Sequence, residues 1–207
     1  MKKLAITITA LILIGVVILI GGGYSKAKSS SGGETSMNRT HAVINKKPAG
    51  KSRQLIMYFT LSGNTKKAAM ALQRDTGADI IRIRPRKAYP STYDVAVKVA
   101  KKELATNTHP AMANKLPNLA QYKTIYIGFP TWWRQPPMMI HTLFDTANFK
   151  QKTIVPFTTS MASPISSSMP YLRQMTNRDG AKLAKGIRYT NNDHLRKFLV
   201  KSKLVRK

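Results

Sequence analysis

The chain of 207 residues contains no cysteine. That excludes structural disulfides, thiolate zinc sites, a cysteine nucleophile and a lipid-modified N-terminal cysteine. Acidic residues are also scarce, eight Asp+Glu against 35 Lys+Arg. So few carboxylates leave no pair for general acid–base work and no magnesium cluster. The four histidines, His41, His109, His141 and His194, are scattered without metal-ligand spacing. No metal site and no catalytic residue is therefore assigned. His141 is expected as a surface or capping residue, and Ser166-Ser167-Ser168 as a helix-capping loop. Met138, Met139 and Met161 read as packing residues. There is no internal repeat. No zinc spacing, aromatic RNA-recognition motif or helix-turn-helix marks a nucleic-acid module.

What the chain does have is positive charge. The formal net charge is +27. Residues 1–53 hold nine basic residues and one acidic, which leaves 26 basic and 7 acidic, +19, in residues 54–207. The folded portion itself is basic. Outside the cell its expected partners are anionic lipid headgroups and wall polymers rather than nucleic acid.

An export signal explains why the outside is the relevant compartment. Residues 4–23 carry no charge and follow Lys2 and Lys3. Twenty helical residues span about 30 Å, the thickness of a bilayer core. The segment is a signal anchor or a signal peptide, with cleavage after Ala27 in the second case. The length of the apolar run favours the anchor. Residues 24–53 are rich in Ser, Gly, Lys, Asn and Thr without apolar periodicity, and read as a flexible basic linker. Residues 54–207 form the folded domain.

Within it, strands and helices alternate. Leu55–Phe59 is a short apolar strand, and Asn64–Thr76 a helix ended by Gly77. Residues 79–84 place Ile81 and Ile83 on one face and Arg82 and Arg84 on the other, as on an edge strand. Ser91 opens a helix to about Ala105, with Asp94 completing a capping box. Residues 124–129 and 153–158 are unbroken apolar runs, typical of strands buried on both faces. Short helices are expected at 140–144 and from Ser167 or Ser168 to Met175. A last strand lies within 181–189, and a closing helix at 193–201 is capped by Asn192 or Asp193. Alternating βα units imply a doubly wound parallel sheet.

Three loops leave the carboxyl ends of these strands, where such sheets bind ligands. The first is Thr60-Leu61-Ser62-Gly63-Asn64-Thr65. A hydroxyl-rich turn that opens a helix offers free N–H groups and a favourable dipole to a phosphate. The same string also reads as an ordinary turn with an Asn or Thr N-cap. The second, Pro130-Thr131-Trp132-Trp133-Arg134, holds the chain's two tryptophans. Its rings suit a flat heteroaromatic ligand, although core packing is the other use of such a pair. The third is Thr159-Ser160-Met161-Ala162-Ser163-Pro164.

These residues resemble the flavodoxin-like family of FMN-binding domains. The resemblance covers roughly residues 54–200. It rests on Tyr58–Thr65, on Gly128-Phe129-Pro130-Thr131-Trp132-Trp133 and on Pro156-Phe157-Thr158-Thr159-Ser160. It implies a three-layer α/β sandwich around a five-stranded parallel sheet in the order 2-1-3-4-5. Thr60, Ser62, Gly63, Asn64 and Thr65 would hold the FMN phosphate. Pro130, Thr131, Trp132 and Trp133 would flank the isoalloxazine ring. Thr159, Ser160 and Ser163 would meet its other edge or the ribityl chain. Arg134, where a glycine is common, would stabilise negative charge on the reduced ring and make its potential less negative. The third loop is usually glycine-rich and here is not. The expected function is electron transfer at the outer face of the cell membrane, with an acidic or membrane-bound redox partner. The alternatives are an FMN-dependent reductase of quinones or small acceptors, and a flavin-less module binding anionic envelope components.

Overall fold

The computed structural model describes residues 53–206. The expected apolar segment at 1–23 and nearly all of the expected linker lie outside the described residues. Among the described residues no helix is long and apolar enough to cross a membrane.

Among the described residues six strands form one parallel sheet. They are β1 (Arg53–Tyr58), β2 (Asp79–Arg82), β3 (Tyr122–Pro130), β4 (Thr153–Thr159), β5 (Lys182–Leu183) and β6 (Ile187–Arg188). The order is β2-β1-β3-β4-β5, with β6 also paired to β4. This is the expected doubly wound order. The expected last strand, however, is broken in two. Lys152, Ile154 and Thr158 accept backbone hydrogen bonds from Lys182, Ala184 and Tyr189. Alternation turns Pro156 toward the same edge. Proline has no N–H to donate there. The edge strand bulges opposite it, and the pairing changes from Ile154↔Leu183 to Phe157↔Ile187.

Among the described residues, four α-helices connect the strands, α1 (Asn64–Thr76), α2 (Tyr93–Ala105), α3 (Met138–Thr146) and α4 (Met169–Arg178), and α5 (Asn192–Lys201) follows the last one. Helix α1 has the expected bounds, and Gly77 ends it in the left-handed region, donating to Gln73 O. Helix α2 starts two residues later than expected. Thr92 is its N-cap, without a side-chain cap bond, so the Ser91–Asp94 capping box is absent. Asn191, rather than Asn192 or Asp193, caps α5 by accepting from His194 N–H.

Residue alternation in the strands sorts the core into two layers. Leu55, Met57 and Phe59 of the first strand segment pack with Ile125, Ile127, Met139, Leu143 and Leu172, on the side of α3 and α4. Ile56 and Tyr58 pack with Ala68, Leu72, Tyr126, Phe157, Leu195 and Leu199, on the side of α1 and α5. Central β3 and β4 are buried from Ile125 to Phe129 and from Ile154 to Thr158. Burial on both faces is the reason their sequences show no polar alternation. At the edge, Ile83 is fully buried while Arg82 and Arg84 are exposed, as the alternation requires.

Candidate functional site

The carboxyl ends of β1, β3 and β4 bring the three expected loops together. In the first loop, Thr60 is buried and its Oγ1 accepts the Gly63 N–H at 3.0 Å. This bond curls the chain into the start of α1. Gly63 itself is the N-cap, at φ 93°, with no side-chain cap bond. That φ disfavours any residue with a Cβ. The turn is therefore not capped by an Asn or Thr side chain, and the first helical N–H groups keep their outward aim. Ser62 and Asn64 are exposed beside them.

Thr65 joins the first loop to the third. It is 1% exposed, and its Oγ1 lies 2.8 Å from Thr159 Oγ1. Thr159 O in turn accepts the Thr131 N–H of the second loop at 3.0 Å. One residue at the end of β4 thus fastens all three loops. Thr131 Oγ1 is buried without a hydrogen-bond partner. Such a hydroxyl costs about 1–3 kcal/mol unless something supplies the missing bond.

The second loop is a tight turn. Trp132 and Gln135 exchange both backbone hydrogen bonds at 3.0 Å, and Trp133 and Arg134 between them stand at φ 45° and 66°. Positive φ at both central residues defines a type I′ turn, which favours glycine or asparagine. This is the physical reason a glycine suits the position of Arg134. The turn also divides the tryptophan pair. Trp132 is half-buried and meets Phe59 and Tyr89 edge-on, each at a centroid distance of 5.6 Å. Trp133 is 43% exposed. The sequence could not separate them: core packing describes Trp132, and a free aromatic face describes Trp133. Pro130 closes β3, and Arg134 is exposed at the turn.

The third loop turns on Ser160, whose Oγ accepts the Ser163 N–H at 2.9 Å. Arg188 in β6 donates to Met161 O at 3.0 Å and steadies the tip. Met161 is fully exposed, so it is not the packing residue expected. Its side chain projects into solvent, as does that of Ala162.

The sequence profile described as Flavodoxin matches residues 53–201. The chain belongs to the flavodoxin family. Among solved structures the chain is similar to a protein described as a flavoprotein from Bacteroides eggerthii, at 30% identity and TM-score 0.67, over 74% of this chain and 99% of that one. A second such protein, from Bacteroides uniformis, matches at 30% identity and TM-score 0.65, over 72% and 99%. A flavoprotein in complex with FMN from Lactobacillus acidophilus shares the fold at 20% identity and TM-score 0.61, over 71% and 98%. No curated protein matches.

Several neighbours of the site carried no sequence signal. Tyr89 donates to Glu103 at 2.6 Å and packs against Phe59 and Trp132. Burial, and then Glu103, hold its hydroxyl protonated far above the ordinary tyrosine range. Arg82 Nη2 donates to Thr60 O at 3.4 Å, at the back of the first loop. Away from the loops, the histidines are less scattered than their spacing suggested. His109 and His141 face each other at 5.3 Å, and His109 pairs with Asp145, which also binds Arg178 at 3.0 Å. His141 is a half-buried residue inside α3, neither a cap nor a surface group. Among the described residues, no three His, Asp or Glu side chains converge to hold a metal. A cavity of about 550 Å³ lies near the amino ends of β3 and β4, between residues 116–120 and 146–152. No expected site residue lines it.

Proposed function

We propose that this protein binds FMN and transfers electrons at the outer face of the cell membrane. The observation that carries the reading is the fastening of three ligand-facing loops through Thr159, with an unpaired buried hydroxyl at Thr131 among them. The donor set fits a flavin mononucleotide. Ser62, Asn64 and Thr65, with the N–H groups that follow Gly63, suit the phosphate. Thr60 shapes that loop through its bond to Gly63. Pro130, Thr131, Trp132 and Trp133 would flank the ring, and Thr159, Ser160 and Ser163 its far edge. When bound, FMN supplies one- or two-electron chemistry, and the protein tunes it. Arg134, exposed beside Trp133, would favour added negative charge on the ring.

The basic domain suits an acidic or membrane-bound redox partner, and its charge suits an anionic membrane or wall surface. Association with such a partner slows as salt is added. The uncharged stretch at 4–23 supports a single N-terminal anchor with the domain extracytoplasmic.

The phosphate assignment is tested by equilibrium dialysis of the full-length chain, purified in detergent, against FMN and riboflavin. The two differ only in the phosphate. FMN is expected to bind at least about tenfold more tightly, since hydrogen bonds to a charged group contribute about 1.5–3 kcal/mol. Equal affinities would remove the phosphate from the first loop.

A further inference from the structure

A cavity of about 330 Å³ lies between α3, α4 and the connection that precedes β3. His109, Gln135, Met138, His141, Met175 and Arg178 are among its lining residues. Met138 and His141 stand at i and i+3 on α3, which puts them on one face of the helix. Met175 comes from α4 and His109 from the connection. None of the residues assigned above to the flavin lines this cavity.

The ring centroids of His109 and His141 are 5.3 Å apart, with the planes tilted by 52°. Two imidazoles on one ion, with metal–nitrogen bonds of about 2.0–2.1 Å, place their centroids about 5–6 Å apart at tetrahedral to trigonal angles. Asp145 Oδ2 engages His109 Nδ1, which leaves Nε2 to bind. Asp145 Oδ1 accepts from Arg178 Nη1 at 3.0 Å. A carboxylate on the second nitrogen of a ligating histidine fixes its tautomer and raises its basicity. His141 Nε2 is buried and has no hydrogen-bond partner among the described residues. Burial, and then His109, hold this imidazole below its ordinary value, and a histidine binds a metal in its neutral form. The positive charge of Arg178 is matched by Asp145 and Asp179, at 3.0 and 2.9 Å. Among the described residues, no third His, Asp or Glu completes the set. The remaining donors are the thioethers of Met138 and Met175, whose residues are 3% and 5% exposed. Thioethers are soft ligands that select Cu(I), whereas zinc takes thiolate, imidazole or carboxylate.

We propose that His109, His141 and Met138 form a binding site for a monovalent copper ion. Asp145 is a positioning residue that holds His109 and does not touch the ion. The site stands independently of the flavin reading, because it shares no residue with the three loops' flavin contacts.

The test is titration of the metal-free, full-length chain in detergent with Cu(I) under ascorbate, in competition with the chelator bicinchoninate. One Cu(I) per chain should be withheld from the chelator. Asp145→Asn should weaken binding by about 10–100-fold, the scale of losing a carboxylate behind a ligating histidine. His109→Gln and His141→Gln should each weaken it at least as much. Met138→Leu should weaken it by at least about tenfold and leave the metal-free denaturation midpoint nearly unchanged, since Leu and Met exchange with little change in volume. This variant decides the matter if a histidine variant does not fold. His41→Gln and His194→Gln, at the other two histidines, should leave binding intact. No Cu(I) withheld from bicinchoninate overturns the site. Equal losses in His41→Gln or His194→Gln assign binding to histidines in general and also overturn it. Zn²⁺ held more tightly than Cu(I), with no loss in Met138→Leu, assigns the imidazole pair to a divalent ion and overturns the copper assignment.

Discussion

Thr131→Val separates a ligand-facing hydroxyl from a structural one. Thr131 N–H holds Thr159 O at 3.0 Å, and valine keeps that backbone bond. Valine also keeps the branched shape and the stiff χ1. What it removes is Oγ1, which is buried and has no hydrogen-bond partner among the described residues. An unsatisfied buried polar group costs about 1–3 kcal/mol, and an apolar replacement of the same shape relieves part of that. The flavin-free variant should therefore be more stable by about 1 kcal/mol, a rise in Tm of roughly 2–4 °C. In the bound state the hydroxyl has its hydrogen bond to lose. FMN affinity should fall by about tenfold, the equivalent of about 1.4 kcal/mol. Chemical denaturation with and without FMN reads both quantities, because a ligand stabilises according to its concentration over Kd. Thr158→Val is the control. Its Oγ1 is equally buried and unpaired, but it lies within β4. It should stabilise without weakening FMN. If Thr131→Val instead destabilises the flavin-free protein, the hydroxyl is satisfied internally. If stability rises while affinity is unchanged, Thr131 does not face the ligand. Either result takes Thr131 out of the flavin site.

Three further outcomes are expected. Gly128 is paired with Phe157, and a Cβ built on it would meet Phe157 Cζ at 2.1 Å. Carbon contacts prefer about 3.5–4.0 Å, so Gly128→Ala should cost roughly 1–3 kcal/mol and loosen the adjoining second loop. The cost should shrink when Phe157→Leu is combined with it, and strict additivity in a denaturation cycle would contradict this. Arg134→Gln should make the reduction potential of the FMN-loaded protein more negative by roughly 20–40 mV, an exposed charge interaction of up to about 1 kcal/mol expressed per electron. Spectroelectrochemistry that finds no shift would detach Arg134 from the ring. Finally, burial and then the neighbouring His109 hold the His141 imidazole below its ordinary value. The unfolded chain takes up a proton near pH 6.5 while the folded one resists. Stability is thus present above that pH and is lost as pH falls through the lowered folded value. The decline in denaturation midpoint from pH 7 to pH 5 should be shallower in His141→Gln, and an unchanged slope would count against it.

Much of the fold was legible because its signals are local. Asn64–Thr76 carries helical spacing and ends at a glycine whose φ of 66° is the left-handed cap. The strands of β3 and β4 announced their double burial by unbroken apolar runs. The first loop was legible for the same reason, a strand, a turn and a helix within eleven residues. What stayed hidden depends on distant partners or on turn geometry. The division of Trp132 from Trp133 follows from a type I′ turn, which Arg134 disguised by standing where glycine or asparagine is preferred. The meeting of His109 with His141 joins the connection before β3 to α3, across residues with no spacing motif. The exposed face of Arg82 and Arg84 was visible as alternation. That both line a cavity with Thr60, Tyr89 and Tyr93 depends on the path of the chain after β2, which Asn114 and its neighbours clamp at residues 82–86. The broken last strand traces to Pro156 in the strand beside it, a residue whose effect falls on its neighbour rather than on itself.

On the proposed function, the three loops hold a flavin. The most direct test is the visible absorption spectrum of the full-length chain, loaded with FMN in detergent and then desalted. Flavin bands should stay with the protein in equal proportion to chain. A colourless protein after desalting, with no measurable FMN affinity in the same buffer, would contradict it.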